Sequence, residues 1–172
     1  ILNLIRKLDR NGAIIGAICT GTYVMAAAGL LSGHRCTIHW ENIDGLAEEF
    51  QELEITTDLF EIDGNRVTCS GGTAALDMML NLISQSHGAQ LAAEVSDQFI
   101  HDRIREPTDR QRMELRSRIG VSHPKLLAVV KTMEDNLEEP LPQTAIARQT
   151  GLSTRQLERL FRKYLNTTPT RC

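Results

Sequence analysis

No apolar run in this chain approaches the about 20 residues that a helix needs to cross a bilayer. The N-terminus also lacks the short basic segment and small-residue cleavage site of a secretory signal. The expectation is a cytoplasmic chain with no membrane partner. Cys19, Cys36, Cys69 and Cys172 stand without CxxC spacing, which favours neither a zinc site nor a disulfide framework and fits a reducing compartment. No metal and no cofactor are expected. Repeats and low-complexity tracts are absent too, and with 41% apolar and 24% charged residues over 172 positions the composition suits one or two globular domains.

The formal charge of −3 is unevenly spread. Residues 1–123 hold 11 Lys and Arg against 17 Asp and Glu, whereas residues 124–172 hold 8 against 5. From Leu141 onward the balance is 6 against 1, or +5 in 32 residues. An acidic body with a basic end implies a tail that meets a polyanion, the alternative being a solvated basic helix.

Along the chain, Leu2, Ile5 and Leu8 mark a short amphipathic helix stopped at Asn11-Gly12. Ala13 to Ile18 is then a continuous apolar run of strand length, which suits a buried parallel strand. A helix over Thr20–Ala28 follows, and helix–strand–helix order is α/β grammar. The spacing further predicts a short "CTIHW" segment, a helix from about Glu41 to Phe50, and a hairpin or tight strand connection at Asp63-Gly64. Gly71-Gly72 leads into a helix with Leu76, Met79, Leu80 and Ile83 on one face, and another helix is expected over about Gln90 to Ile104. Residues 105–123 are charged, weakly periodic and flanked by prolines, and read as an interdomain connector. Beyond them Leu126, Leu127, Val130, Met133 and Leu137 stripe a helix entered at Pro124 and closed near Pro140.

"LPQTAIARQTGLSTRQLERLFRKYL" carries the strongest signal. Ala147 four residues before Gly151 lets two short helices cross closely, as a helix-turn-helix requires. Ser153 is placed to cap the second helix. In that helix Leu157, Leu160, Phe161, Tyr164 and Leu165 form an apolar face, with Arg155, Arg159 and Arg162 opposite. Such a helix suits the major groove of double-stranded DNA, with Arg155, Gln156 and Arg159 for base edges and Arg162 and Lys163 for phosphates. Ser153 and Thr154 complete the expected DNA-binding set.

"IARQTGLSTRQLERLFRKYLNTTPTR" resembles the first helix-turn-helix of AraC/XylS-type transcription regulators, down to Thr168-Pro169. Cys172 departs from that pattern, standing about where the family tends to have an aromatic. The resemblance implies a second helix-turn-helix beyond the last residue, so the chain is expected to be a fragment. "AICTG" resembles the nucleophile elbow of the PfpI-like, class I glutamine amidotransferase-like superfamily, which bends a strand sharply into a helix at the Cys19 side chain. His39, 20 residues on, stands about where that superfamily supplies a histidine base. "CSGGTAALDMML" resembles its later glycine-rich turn. The superfamily's acidic partner usually comes from an N-terminal strand, so the chain is also expected to begin partway through that fold.

The fold class implied is α/β, a partial flavodoxin-like parallel-sheet domain over residues 1–104, followed by the 105–123 connector and an all-α helix-turn-helix segment over 124–172. Trp40 and Glu41 beside His39 offer an aromatic face and a carboxylate, which suit a cationic ligand; simple core packing of Trp40 is the alternative. Across nearly the whole chain the pattern resembles the regulator branch that responds to glycine betaine, carnitine or arginine. This implies a transcription activator without catalysis, a small amine or amino-acid effector bound by Cys19, Thr20, His39, Trp40 and Glu41, a homodimer on a two-half-site operator, and RNA polymerase as a further partner. The alternatives are a cysteine-dependent hydrolase or amidase using Cys19 and His39, and a redox sensor in which Cys19 is oxidised.

Overall fold

The computed structural model describes residues 1–171, so Cys172 lies outside the described residues. The chain forms two compact units, Ile1–Arg112 and Met113–Cys172. The first is α/β. It runs α1 (Leu2–Arg10), β1 (Ile15–Ile18), α2 (Gly21–Ala27), β2 (Arg35–Thr37), a 3-10 turn (Trp40–Asn42), α3 (Ile43–Glu49), β3 (Glu54–Thr56), β4 (Phe60–Asp63), β5 (Arg66–Cys69), α4 (Ala74–His87) and α5 (Ala89–Gln98). One sheet has the order β1-β5-β4, with β1 parallel and β4 antiparallel to β5. A second pairs β2 and β3 in parallel. Side chains join the two: Thr37 N donates to Thr68 Oγ1 (2.9 Å) and Arg35 N to Asp63 Oδ2 (2.9 Å).

Most elements follow the sequence periodicity, and the departures have local causes. β1 is not buried on both faces: Ile15 and Ala17 pack inward, while Ile18, and Ile14 just before the strand, are 52% and 65% exposed, because nothing among the described residues covers that face. The Asp63-Gly64 hairpin closes with Asp63 opposite Arg66 and Gly64 at φ +61, the first central position of a two-residue turn, where glycine takes a positive φ most readily. In α4 the inward row is Ala74, Asp77, Met78 and Leu80, whereas Met79 is exposed. Of the expected row Leu80 is buried and Leu76 and Ile83 are half-buried, so Met79 alone departs from it, and the inward side also carries a fully buried acid, Asp77.

The helix expected to reach Ile104 stops at Gln98. Ile100 turns left-handed (φ +53), His101 N returns to Ser96 O (3.1 Å) and Ser96 Oγ donates to His101 O (2.8 Å). This turn brings the following residues back onto α4. A buried arginine closes the other end of the unit: Arg66 donates Nε to Leu30 O (2.6 Å) and pairs through Nη2 with Asp9 on α1 (2.6 Å).

The second unit is helical: α6 (Leu115–Ile119), α7 (Pro124–Glu134), α8 (Gln143–Gln149), α9 (Thr154–Leu165) and a 3-10 turn (Pro169–Arg171). Its core is Leu126, Val129, Val130, Ile146, Ala147, Leu157 and Phe161. α7 ends sooner than the sequence stripe suggested, leaving Leu137 outside it and exposed. Residues 105–112 pack with the first unit and residues from Met113 onward with the second, so the segment read as a connector is divided between them.

Candidate functional site

Two places hold the chemistry singled out in the sequence. The first lies at the C-terminal ends of the parallel strands β1 and β5, where open α/β sheets form ligand crevices. Cys19 ends β1 in the left-handed region (φ +55), donating its backbone N–H to Cys69 O (2.9 Å), and α2 opens two residues later. This is a sharp strand-to-helix elbow. Gly71, on the turn after β5, presses against it: a Cβ there would lie 2.7 Å from Cys19 Cβ and 3.2 Å from Sγ, so the close approach requires glycine.

Beside the elbow is a cleft of about 210 Å³ lined by His39, Trp40, Leu59, Ser70 to Ala74, Arg105 and Gln111. Of the five residues expected to bind an effector, His39 and Trp40 line this cleft and Cys19 backs its Gly71 wall. Thr20 and Glu41 are exposed and do not line it. Glu41 is carried past by the 3-10 turn, where its backbone N–H donates to His39 Nδ1 (3.4 Å) and its carboxylate lies 3.8 Å from that nitrogen. The face of Trp40 is already taken by a cation of the chain itself, with Arg112 Cζ 3.9 Å from the ring centroid.

Sequence reasoning missed the cluster beneath the cleft. Asp77, fully buried, accepts from the Arg105 backbone N–H (2.8 Å), from Arg105 Nε (2.9 Å) and Nη2 (2.6 Å), and pairs with His101 Nε2 (2.8 Å). Burial alone would raise its carboxyl pKa, but the bonds from Arg105 and His101 outweigh it and hold the group below the ordinary carboxylate value. Arg105 also donates to Thr73 Oγ1 (2.6 Å) on the cleft wall. Gln111 Nε2 reaches Thr37 Oγ1 (3.1 Å), Ile38 O (3.1 Å) and Asp58 O (2.8 Å), while its Oε1 is buried without a partner. The charged, aperiodic segment that looked like linker thus supplies two cleft residues. Cys36 and Cys69 are buried interior thiols, Cys36 pushed up to about 11 by burial and by Glu61 and Glu54, and Cys69 pushed up by burial.

The second place is α9. Ser153 caps it by accepting from Gln156 N (3.2 Å), and Gln156 Oε1 accepts from Ser153 N (2.8 Å), a complete capping box. Gly151 makes the turn at φ +64 and Ala147 is buried at the crossing. Leu157 and Phe161 anchor one face, while Arg155, Arg159, Arg162 and Lys163 are exposed. Ser153, Arg155, Gln156 and Arg159 line one surface depression, and Arg162, Asn166, Thr167, Thr168 and Arg171 line another. Arg171 was not singled out in the sequence; Thr167 and Thr168 beside it were the available signal. Bidentate reading of adenine uses both amide atoms of a Gln or Asn. Gln156 has its oxygen committed to the cap, so only its Nε2 is free for a base.

Residues 1–85 match the DJ-1/PfpI family. The chain carries a DJ-1/PfpI domain. Over 169 residues it is 50% identical to the HTH-type transcriptional regulator CdhR of Pseudomonas aeruginosa, covering 98% of this chain and 50% of that protein. It is 48% identical over 162 residues to the HTH-type transcriptional regulator GbdR of the same species, covering 94% of this chain and 44% of the relative. The crystal structure of an AraC family transcriptional regulator from Pseudomonas putida superposes with a TM-score of 0.53 at 27% identity, over 56% of this chain and 52% of that one. The chain spans about half the length of the curated relatives it matches. Its DJ-1/PfpI domain and helical second unit accord with the α/β-plus-helical fold class read from the sequence. No described helix is long and apolar enough to cross a membrane.

Proposed function

We propose that the chain is the effector-sensing and first DNA-reading portion of a cytoplasmic transcription regulator that acts as a homodimer and activates through RNA polymerase. The observation that carries this is α9: a capped helix whose cationic face is exposed and whose apolar face closes a three-helix core behind a buried Ala147 turn. Arg155 and Arg159 read base edges, Arg162, Lys163 and Arg171 hold phosphates, and Ser153 and Gln156 chiefly fix the helix. The relatives' designation as HTH-type regulators supports the reading.

The DJ-1/PfpI domain senses a small amine or amino acid in the cleft of His39, Trp40, Thr73 and Arg105. Such an effector shifts the equilibrium only through different affinity for two states of the protein. The decisive measurement is fluorescence anisotropy of promoter fragments with and without glycine betaine, carnitine and arginine. Specific binding modulated by one compound and lost in Arg159→Ala is expected. Equal affinity for all DNA, unaffected by Arg159→Ala and by every compound, overturns the reading.

A second reading has one observation in its favour, the left-handed backbone of Cys19 at the elbow. In that reading Cys19 is the nucleophile and His39 the base of a hydrolase or amidase. It requires turnover lost in Cys19→Ala, whereas sensing requires an altered ligand response at most.

A further inference from the structure

Arg112 differs from the other arginines of its segment. Arg103 is paired with Asp109 (3.0 Å) and Arg105 with Asp77 (2.6 Å). Among the described residues Arg112 has neither ion pair nor hydrogen bond; what holds it is the indole of Trp40, at 3.9 Å. A cation over an indole is attracted by the ring quadrupole, a contact that any other cation of suitable size can replace. Trp40 lines the cleft, Gln111 lines it too, and Met113 opens the second unit. The contact is therefore weak, exchangeable and placed on the last residue before the next folded body.

We propose that Arg112 is an internal competitor for the Trp40 face, and that the effector binds by displacing it, which frees the last residue before the second unit while Gln111 stays anchored. This rests on the cleft being the effector site. A competitor tethered in the same chain acts at a high effective concentration, of millimolar order for short flexible tethers, and so sets a threshold that a bare cation gains little by crossing. An effector must add a second contact. Arg105 and Thr73 on the same cleft wall present donors to an anion, so the occupant that wins is a zwitterion, with its cationic end on Trp40 and its carboxylate toward Arg105 and Thr73.

The test uses the whole chain, titrated calorimetrically with glycine betaine, arginine and tetramethylammonium. Arg112→Ala should tighten zwitterion binding about 2- to 30-fold, the range spanned by a cation–π contact, with Arg112→Lys in between. Tetramethylammonium should bind Arg112→Ala measurably and the wild type far less. Trp40 is the chain's single tryptophan, so its emission should shift on Arg112→Ala without ligand and in the same direction on zwitterion binding to the wild type. Tryptic cleavage after Arg112 should accelerate in the wild type with the zwitterion present. Zwitterion affinity equal in wild type and Arg112→Ala, or weaker in Arg112→Ala, overturns displacement while leaving the effector cleft intact. Binding of no compound to the wild type, Arg112→Ala or Arg112→Lys overturns the effector cleft and displacement together.

Discussion

Asp77 shows how one buried acid organises the DJ-1/PfpI domain. It has no exposure and gathers four hydrogen bonds from two residues, His101 and Arg105, so removing its charge strands an arginine and a histidine. Breaking a buried pair from one side costs about 3–5 kcal/mol, and Asp77→Ala should lower the stability of the domain by that order in urea unfolding. The acid limb has a definite sign. A folded-state pKa held below the ordinary value means that the unfolded chain binds the proton more readily, so the contribution is complete above the ordinary carboxylate value and is lost as pH falls through the lowered one. Melting temperature followed from neutral pH down past about pH 4 should show this decline in the wild type, and a flatter one in Asp77→Asn. Nothing in the local sequence announced the cluster: "TAALDMML" reads as an ordinary amphipathic helix, and the partners lie 24 and 28 residues away.

At the level of elements, α9 and its cap were legible because each signal is local. Ser153, Gln156, Gly151 and the 157/161 anchors lie within one short stretch and act on one another directly. Ser153→Ala should cost about 1 kcal/mol, seen as a fall of roughly 4–8 °C in the melting of a unit this small. Gln156→Ala should do much the same while leaving operator preference in place, whereas Arg159→Ala should relax preference with little change in melting; circular dichroism and competition binding separate the two. The strand-to-helix elbow was legible for a similar reason, since the apolar run, Cys19 and the alanine-rich helix are contiguous. Strand β3 and the roles of Arg105 and Gln111 were not, because each is defined by pairing across the sheet or over long separations in sequence.

For the whole molecule the charge division matters more than the net value. Under the proposed function, an acidic first part and a basic end direct the polyanion toward α9 and away from the first unit. DNA affinity of the regulator should therefore fall steeply with salt, and Arg162→Ala should reduce the log–log slope by about 0.9 if that arginine meets one phosphate. The fold class was readable from composition and motif, while the division at Arg112 was not, because residues 105–112 are held by polar contacts that leave no hydrophobic period.

The open edge of the main sheet has a consequence for handling. Among the described residues β1 has no strand on its outer side, beside exposed Ile14 and Ile18, and nearby α1 shows Leu4 and Leu8 to solvent. Parallel edges with apolar flanks template further strands. That edge is the expected starting point for association in concentrated samples, and lysine at Ile14, before the strand and away from the Cys19 elbow, should reduce light scattering.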